Sequence, residues 1–294
     1  MVDRKKGFQV FAHMVMCFLL FCALAPFLLL FMSSITEESS LIQNGYSFTP
    51  KVISFYAYEY FLSGSKALFR AYRISVGITA AGTAINLLLT ILYAYPLSRK
   101  ELPGRSFFAF YLFFTMLFSG GIVPSYIMWT RGFHIQNTLF ALLIPNLLMG
   151  AFNVIMVRTF FNANIPDSVI EAARIDGAGE FGILFRIVAP MAKPIFATVG
   201  LLVGLAYWND WTNGLYYIND TNLYSVQVLL TNIQRNMEAI KQSMANGGSV
   251  SMDSLPSTSV RMAITVLGVL PVMIIYPFVQ KYFVRGIAVG AVKG

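Results

Sequence analysis

Uncharged runs set the first limit on what this chain can become. Phe8–Met32, Ile74–Leu97, Ser106–Thr130, Gly132–Val157 and Met262–Gln280 contain no Asp, Glu, Lys or Arg. Each reaches the roughly 20 helical residues needed to cross a hydrocarbon layer about 30 Å thick. Ile187–Asn209 adds a sixth run, interrupted only by Lys193 near its start, where a long side chain can snorkel to the interface. Strands of a membrane barrel would alternate in polarity over about ten residues, and these runs do not. The expectation is an all-α polytopic membrane protein with six transmembrane helices, consistent with 57% hydrophobic and only 12% charged residues.

Asp3-Arg4-Lys5-Lys6 precedes the first run and invites a reading as a secretory signal. The run is long for a signal core, and no small-x-small cleavage site directly precedes Ser33-Ser34, so it reads as an uncleaved span. Charge then orients the chain. With the N-terminus inside, six spans return the C-terminus inside, and thirteen of the 21 Lys and Arg fall on inner segments with six of the 13 acidic residues. That bias follows the positive-inside rule, so the net charge of +8 is a topology signal. No basic run with stacking aromatics supports nucleic-acid binding. Cys17 and Cys22 both lie inside the first span and read as small hydrophobes. His13 and His134 stand alone, with no metal-ligand spacing.

The second span places Thr79, Thr83, Asn86 and Thr90 at intervals of three or four residues, giving one polar helix face. Such a face either bonds to neighbouring helices or lines a polar route through the bundle. Ser119-Gly120-Gly121 with Pro124 predicts a kink or unwinding in the third span. Tyr207-Trp208-Asn209-Asp210-Trp211 closes the fifth, where aromatics suit an interfacial belt. Residues 212–259 form a long polar outer segment whose middle, Val226–Met244, reads as a helix. It is long for a plain connector.

Between the fourth and fifth spans the character changes. Pro166 suits a first helical turn, and Asp167 favours the positive helix end. Val169, Ile170, Ala172 and Ala173 give an apolar side, and Gly177 and Gly179 allow a sharp turn. Phe181, Leu184, Phe185 and Val188 then follow helical spacing. Glu171, Arg174, Asp176, Glu180 and Arg186 crowd the same stretch. The residues describe a compact helix–turn–helix knob on the inner face, either an ordinary interfacial hairpin or a docking element.

This stretch resembles the EAA loop of ABC importer permeases. Glu171-Ala172-Ala173, three residues, Gly177, nine residues, then Ile187-x-x-Pro190 match its spacing. Ala189 stands where Leu is usual. The closing segment Tyr282–Gly294 is similar to the tail of sugar permeases related to the maltose transporter's second permease subunit. Trp208-Asn209-Asp210-Trp211 resembles the LplC-like polysaccharide and oligosaccharide group. The resemblance implies a single permease domain, 1–294, with a coupling loop at 164–190 and an extracytoplasmic loop at 212–259, in a bacterial plasma membrane. It implies ATPase-coupling roles for Glu171, Ala172, Ala173, Arg174, Asp176, Gly177 and Ala178. A tail role would fall to Gly290, Val292, Lys293 and Gly294. Implied partners are a second permease subunit, two ATPase subunits that hold ATP and magnesium, and an extracytoplasmic solute-binding protein. The chain has no Walker A pattern, so the expectation is no catalytic residue, no cofactor and no metal of its own.

Asn86, Asn153, Trp208 and Asn209 are the candidates for lining a substrate path. The expected cargo is carbohydrate, with a non-sugar solute such as peptide, amino acid or polyamine as the alternative. An intramembrane enzyme would need paired carboxylates or clustered His within the spans, and a secondary carrier would not need the knob.

Overall fold

The computed structural model describes residues 6–59, 66–245 and 258–291. Among them are α1 (Lys6–Ser34), α2 (Glu38–Asn44), α3 (Lys66–Ser98), α4 (Arg105–Leu117) and α5 (Ile122–Ile127), the last running into a π-turn at Met128–Gly132. Next come α6 (Phe140–Leu143), α7 (Ala151–Asn164), α8 (Asp167–Ile175), α9 (Glu180–Met191) and α10 (Lys193–Trp208). The chain closes with α11 (Thr212–Tyr217), α12 (Val226–Ala245) and α13 (Thr258–Ala291). The described residues hold no strand, only one isolated bridge between Thr36 and Ile53. The predicted helix over Val226–Met244 is present as α12.

The chain groups into two compact units, Met1–Lys66 with Asn232–Pro271 and Ala67–Thr231 with Val272–Gly294. In the first unit α1 exposes Phe8, Phe11, Phe18 and Phe21, as a helix surrounded by hydrocarbon can. Glu38 at the start of α2 accepts the backbone N–H groups of Thr258 and Ser259, at 2.7 and 2.8 Å. It thereby satisfies the free donors at the start of α13 and places negative charge at the positive helix end.

The second unit carries the core, built from α3, α7, α8, α9 and α10 around Phe161, Val154, Ile183, Val188 and Val199. α3 and α10 approach closely through small residues. A Cβ on Gly82 would overlap the Tyr207 ring, one on Gly204 would sit 3.4 Å from Thr83 Oγ1, and one on Gly200 would sit 3.3 Å from Leu87. Close backbone approach through glycine is how membrane helices gain packing where no hydrophobic effect drives them together.

Among the described residues, three helical stretches are long and apolar enough to cross a membrane unbroken: Gly7–Ser34, Lys66–Ser98 and Thr258–Pro277. Two predicted spans are bent. α4 and α5 meet at 110°, where Gly121 takes φ +81° at the predicted break. α9 and the helix after it meet at 84°, between Pro190 and Pro194, so α10 starts at Lys193 and the single run Ile187–Asn209 is not one helix.

The run Gly132–Val157 is corrected more severely. It holds the one-turn helix α6, an open stretch over 144–150, and only the first half of α7. Pro145 has no N–H to donate, and Asn146 sits at φ +62°, a conformation Asn adopts more readily than most residues. Three side chains replace the missing helical partners. Tyr207 donates its hydroxyl to the Leu143 carbonyl at 2.9 Å, Asn213 donates to Pro145 at 2.9 Å, and Asn86 donates to Leu147 at 2.6 Å. Open backbone within an apolar protein requires such satisfaction, since each unpaired carbonyl costs several kcal/mol in hydrocarbon.

Candidate functional site

The knob between α7 and α10 is assembled from the sequence features that suggested it. Pro166 precedes α8, and Asp167 occupies its first turn. At the other end Gly177 takes φ +80°. The Ala178 N–H reaches the Ala173 carbonyl, and the Gly177 N–H the Arg174 carbonyl, both at 3.0 Å. This 6→1 and 5→2 pair is a Schellman stop, which needs a left-handed residue at the position Gly177 holds.

The buried side of α8 differs in part from expectation. Ile170 and Ala173 are covered at 2% and 6% exposure, whereas Glu171, Ala172, Arg174, Asp176 and Gly177 are exposed and Ala178 is half-buried. Ala173 therefore packs inward against its own chain and cannot meet a partner directly. Ile175, at 86% exposure, and Phe181, at 72%, stand out beside it. The face left free is Glu171, Ala172, Ile175, Asp176 and Gly177, with Phe181 on the helix that follows.

The second helix departs from simple 3.6-residue spacing. Ile183–Val188 is a π-turn, so positions five apart share a side. Ile183, Leu184 and Val188 are buried while Phe181 and Phe185 are exposed. The extra residue per turn brings Ile183 into the core and leaves Phe185 out of it.

Polar bonds fasten the knob to the end of α3. Tyr95, only 5% exposed, donates its hydroxyl to Glu180 Oε2 at 2.6 Å. Arg174 Nε donates to Glu180 Oε1 at 2.8 Å. The Tyr95 hydrogen bond, with Arg174 assisting against partial burial, holds the Glu180 carboxyl below its ordinary range. At the other side of the knob, Arg99 and Lys100 reach the Asp167 carboxylate at 3.4 and 3.3 Å. The Arg99 guanidinium also lies 5.5 Å from the centre of the Tyr95 ring. Composition marked this inner turn only as basic. Nothing local to Tyr95 or Arg99 in the sequence signals that this turn receives the knob.

The path candidates do not form one cluster. Asn86 is 2% exposed and bonded to Leu147 and, through its carbonyl oxygen, to Thr90 at 3.2 Å. It fastens the open stretch rather than facing a lumen. Trp208 is buried and tilts against Tyr72 at 6.3 Å. Asn153 is half-buried and Asn209 exposed, the latter 3.5 Å from Gln227 Nε2. Thr79 and Thr83 have enclosed hydroxyls without a hydrogen-bond partner among the described residues. Asp210 accepts the N–H groups of Thr212 and Asn213 at the start of α11. Gly290 lies in the last turn of α13; Val292, Lys293 and Gly294 lie outside the described residues.

The described residues thus combine apolar helices long enough to cross a membrane with an exposed, glycine-stopped knob. Residues 6–289 match the profile of the binding-protein-dependent transport system inner membrane components. The chain belongs to this family of ABC transporter permeases. It is 35% identical to the polygalacturonan/rhamnogalacturonan transport system permease protein YtcP of Bacillus subtilis, over the full length of both chains. It is 34% identical to the protein LplC of the same organism, over 92% of this chain and 89% of that one. Among solved structures, a bacterial ABC transporter involved in the import of the acidic polysaccharide alginate matches at a TM-score of 0.81 and 30% identity. That match covers 96% of this chain and 99% of the other.

Proposed function

We propose that this chain is one of two permease subunits of a binding-protein-dependent importer for oligosaccharides and polysaccharide fragments. The relatives' cargoes support sugar over a peptide, amino acid or polyamine. Polygalacturonan and alginate are acidic polymers, so uronic-acid oligomers are the first substrates to test. In this reading residues 1–294 form one permease domain that crosses the membrane six times with both ends inside. The bent pair α4–α5 serves as the third passage, α6 with α7 as the fourth and α10 as the fifth.

The observation that carries the coupling role is the knob. Its glycine stop and exposed Glu171, Ala172, Ile175 and Phe181 offer a small, partly apolar surface that no described residue covers. Two ATPase subunits, holding ATP and magnesium, seat this loop, and their closure switches the permease pair between inward-facing and outward-facing states. ATP supplies differential affinity for the two states, and the permease supplies the bistable element. Residues 212–259 face the solute-binding protein, and the tail reaches towards the ATPases. Asn153 and Asn209 remain path-lining candidates alongside residues of the second permease.

The test is affinity purification of the tagged chain from gently solubilised native membranes, with mass spectrometry of what accompanies it. A second permease, an ATPase and a sugar-binding lipoprotein are expected, and the lipoprotein is then titrated with oligogalacturonates. Recovery of this chain alone, under conditions that preserve other ABC complexes, refutes the assignment.

A further inference from the structure

We propose that Tyr95, Glu180 and Arg174 form a latch that makes α3 the lever by which the knob's displacement reaches the outer side of the permease. This rests on the transport reading above and adds positioning residues that the EAA pattern does not contain. Glu180 lies three residues beyond Gly177, and Tyr95 lies on a helix far away in sequence.

The geometry singles out this contact. Arg174 and Glu180 belong to the two arms of the knob, so their 2.8 Å bond holds the hairpin closed on itself. Tyr95 belongs to α3, so its 2.6 Å bond to the same carboxylate joins hairpin to lever. One carboxylate thus serves both purposes, with each oxygen taking one donor. Beside it a cavity of about 610 Å³, lined by Leu92, Pro96, Leu102, Phe181 and Leu184 among others, separates the end of α3 from α9. On that side the connection is polar rather than packed. Both bonds to the carboxylate are charge-assisted, the stronger class of hydrogen bond. Asp167, held by Arg99 and Lys100, provides a second attachment. Its contacts, at 3.4 and 3.3 Å, are longer than the 2.6 and 2.8 Å contacts of Glu180, and it is the weaker of the two.

The far end of α3 is equally tied. Ser75 Oγ accepts the Val226 N–H at 2.9 Å, and Arg70 donates to Asn222 Oδ1. Both partners lie in the outer segment that follows α11. A single helix of 33 residues therefore connects the knob to the segment that would meet the binding protein. α3 does not share the sharp bends seen in α4–α5 and α9–α10, so a push at Tyr95 is delivered at Ser75 without being absorbed between them.

The experiment uses the assembled complex in proteoliposomes, with Cys17 and Cys22 replaced by Ser and a reporter thiol at Arg73→Cys on the outer end of α3. The readout is the change in the labelling rate of that thiol by a membrane-impermeant maleimide when ATP and vanadate are added. ATP hydrolysis is measured on the same sample. Tyr95→Phe keeps the ring and the Arg174–Glu180 bond and removes only the link to α3. It is expected to shrink the nucleotide-dependent labelling change at least about tenfold relative to hydrolysis, the lower end of what a hydrogen bond to a charged group contributes. Glu180→Gln retains an acceptor for Tyr95 and should keep most of the response; Glu180→Ala should lose it as Tyr95→Phe does.

A full labelling response in Tyr95→Phe overturns the latch. Should that variant not assemble, equal responses from Glu180→Gln and Glu180→Ala overturn it instead. A purely structural role would lower assembly and hydrolysis together and leave their ratio to the labelling change intact, which also counts against it. If the parent complex shows no nucleotide response or retains no ATPase, the transport reading itself has failed.

Discussion

Replacing Gly177 separates two costs that are usually confounded at a docking turn. Its φ of +80° penalises any residue with a Cβ by about 1–2 kcal/mol, with Asn suffering less than Ala because it adopts left-handed conformations more readily. No steric term adds to this inside the chain, since a Cβ at Gly177 meets nothing within 4 Å. Strain alone therefore ranks Gly177→Ala as the worse substitution and Gly177→Asn as the milder one. Docking ranks them the other way, because the larger Asn side chain projects from an exposed turn into whatever seats there. The assay is retention of the ATPase during affinity purification, together with uptake in reconstituted vesicles. The expected order is wild type, then Ala, then Asn, with Asn losing at least about tenfold, equivalent to 1.4 kcal/mol of binding. An Asn variant that outperforms Ala would show that only the turn's conformation matters, and the docking assignment would fall.

Other substitutions probe the scaffold. Asn86→Ala leaves the Leu147 carbonyl without its donor and should cost about 1–3 kcal/mol, read as a lower unfolding midpoint in detergent. An unchanged midpoint would mean that water replaces the amide. Gly82→Ala drives a methyl into the Tyr207 ring and should cost about 1–3 kcal/mol, whereas Gly200→Ala meets only a Leu87 methyl at 3.3 Å and should be milder in the same melt. Burial raises the Glu38 carboxyl, but the bonds from Ser259 and Thr258 outweigh it and hold the group below its ordinary value. Its contribution is thus present above the unfolded glutamate value of about 4.3 and fades as pH falls through the lower folded value. Glu38→Gln should flatten that acid limb of the thermal-stability profile, and an unaltered limb would assign it to another group.

The knob was legible because its signals are local. A proline, an amphipathic turn and a glycine at a fixed offset determine where a short helix begins and stops, whatever surrounds them. Which side it buries is not local: Ala172 and Ala173 are alike in sequence, and only the body beneath decides that Ala173 is covered. The fourth run shows the same limit more sharply. Freedom from charge places Gly132–Val157 in an apolar setting but does not require it to be helical. Pro145, Asn146 and Gly150 hinted at a break. The residues that make it tolerable are Asn86, Tyr207 and Asn213, distant in sequence and found only by folding. Tyr95 likewise looked like one more aromatic near a membrane boundary until Glu180 was placed against its hydroxyl.

The three borrowed hydrogen bonds over residues 143–147 also impose an order on synthesis. Two of the donors, on Tyr207 and Asn213, leave the ribosome 64 and 68 residues after the carbonyls they serve. Until then Leu143 and Pro145 must find their partners in water, so this stretch has reason to linger at an aqueous edge while its neighbours enter lipid. Its final shape is therefore set by the arrival of the passage after it, and a nascent chain halted before Tyr207 should still offer this stretch to water-borne thiol reagents.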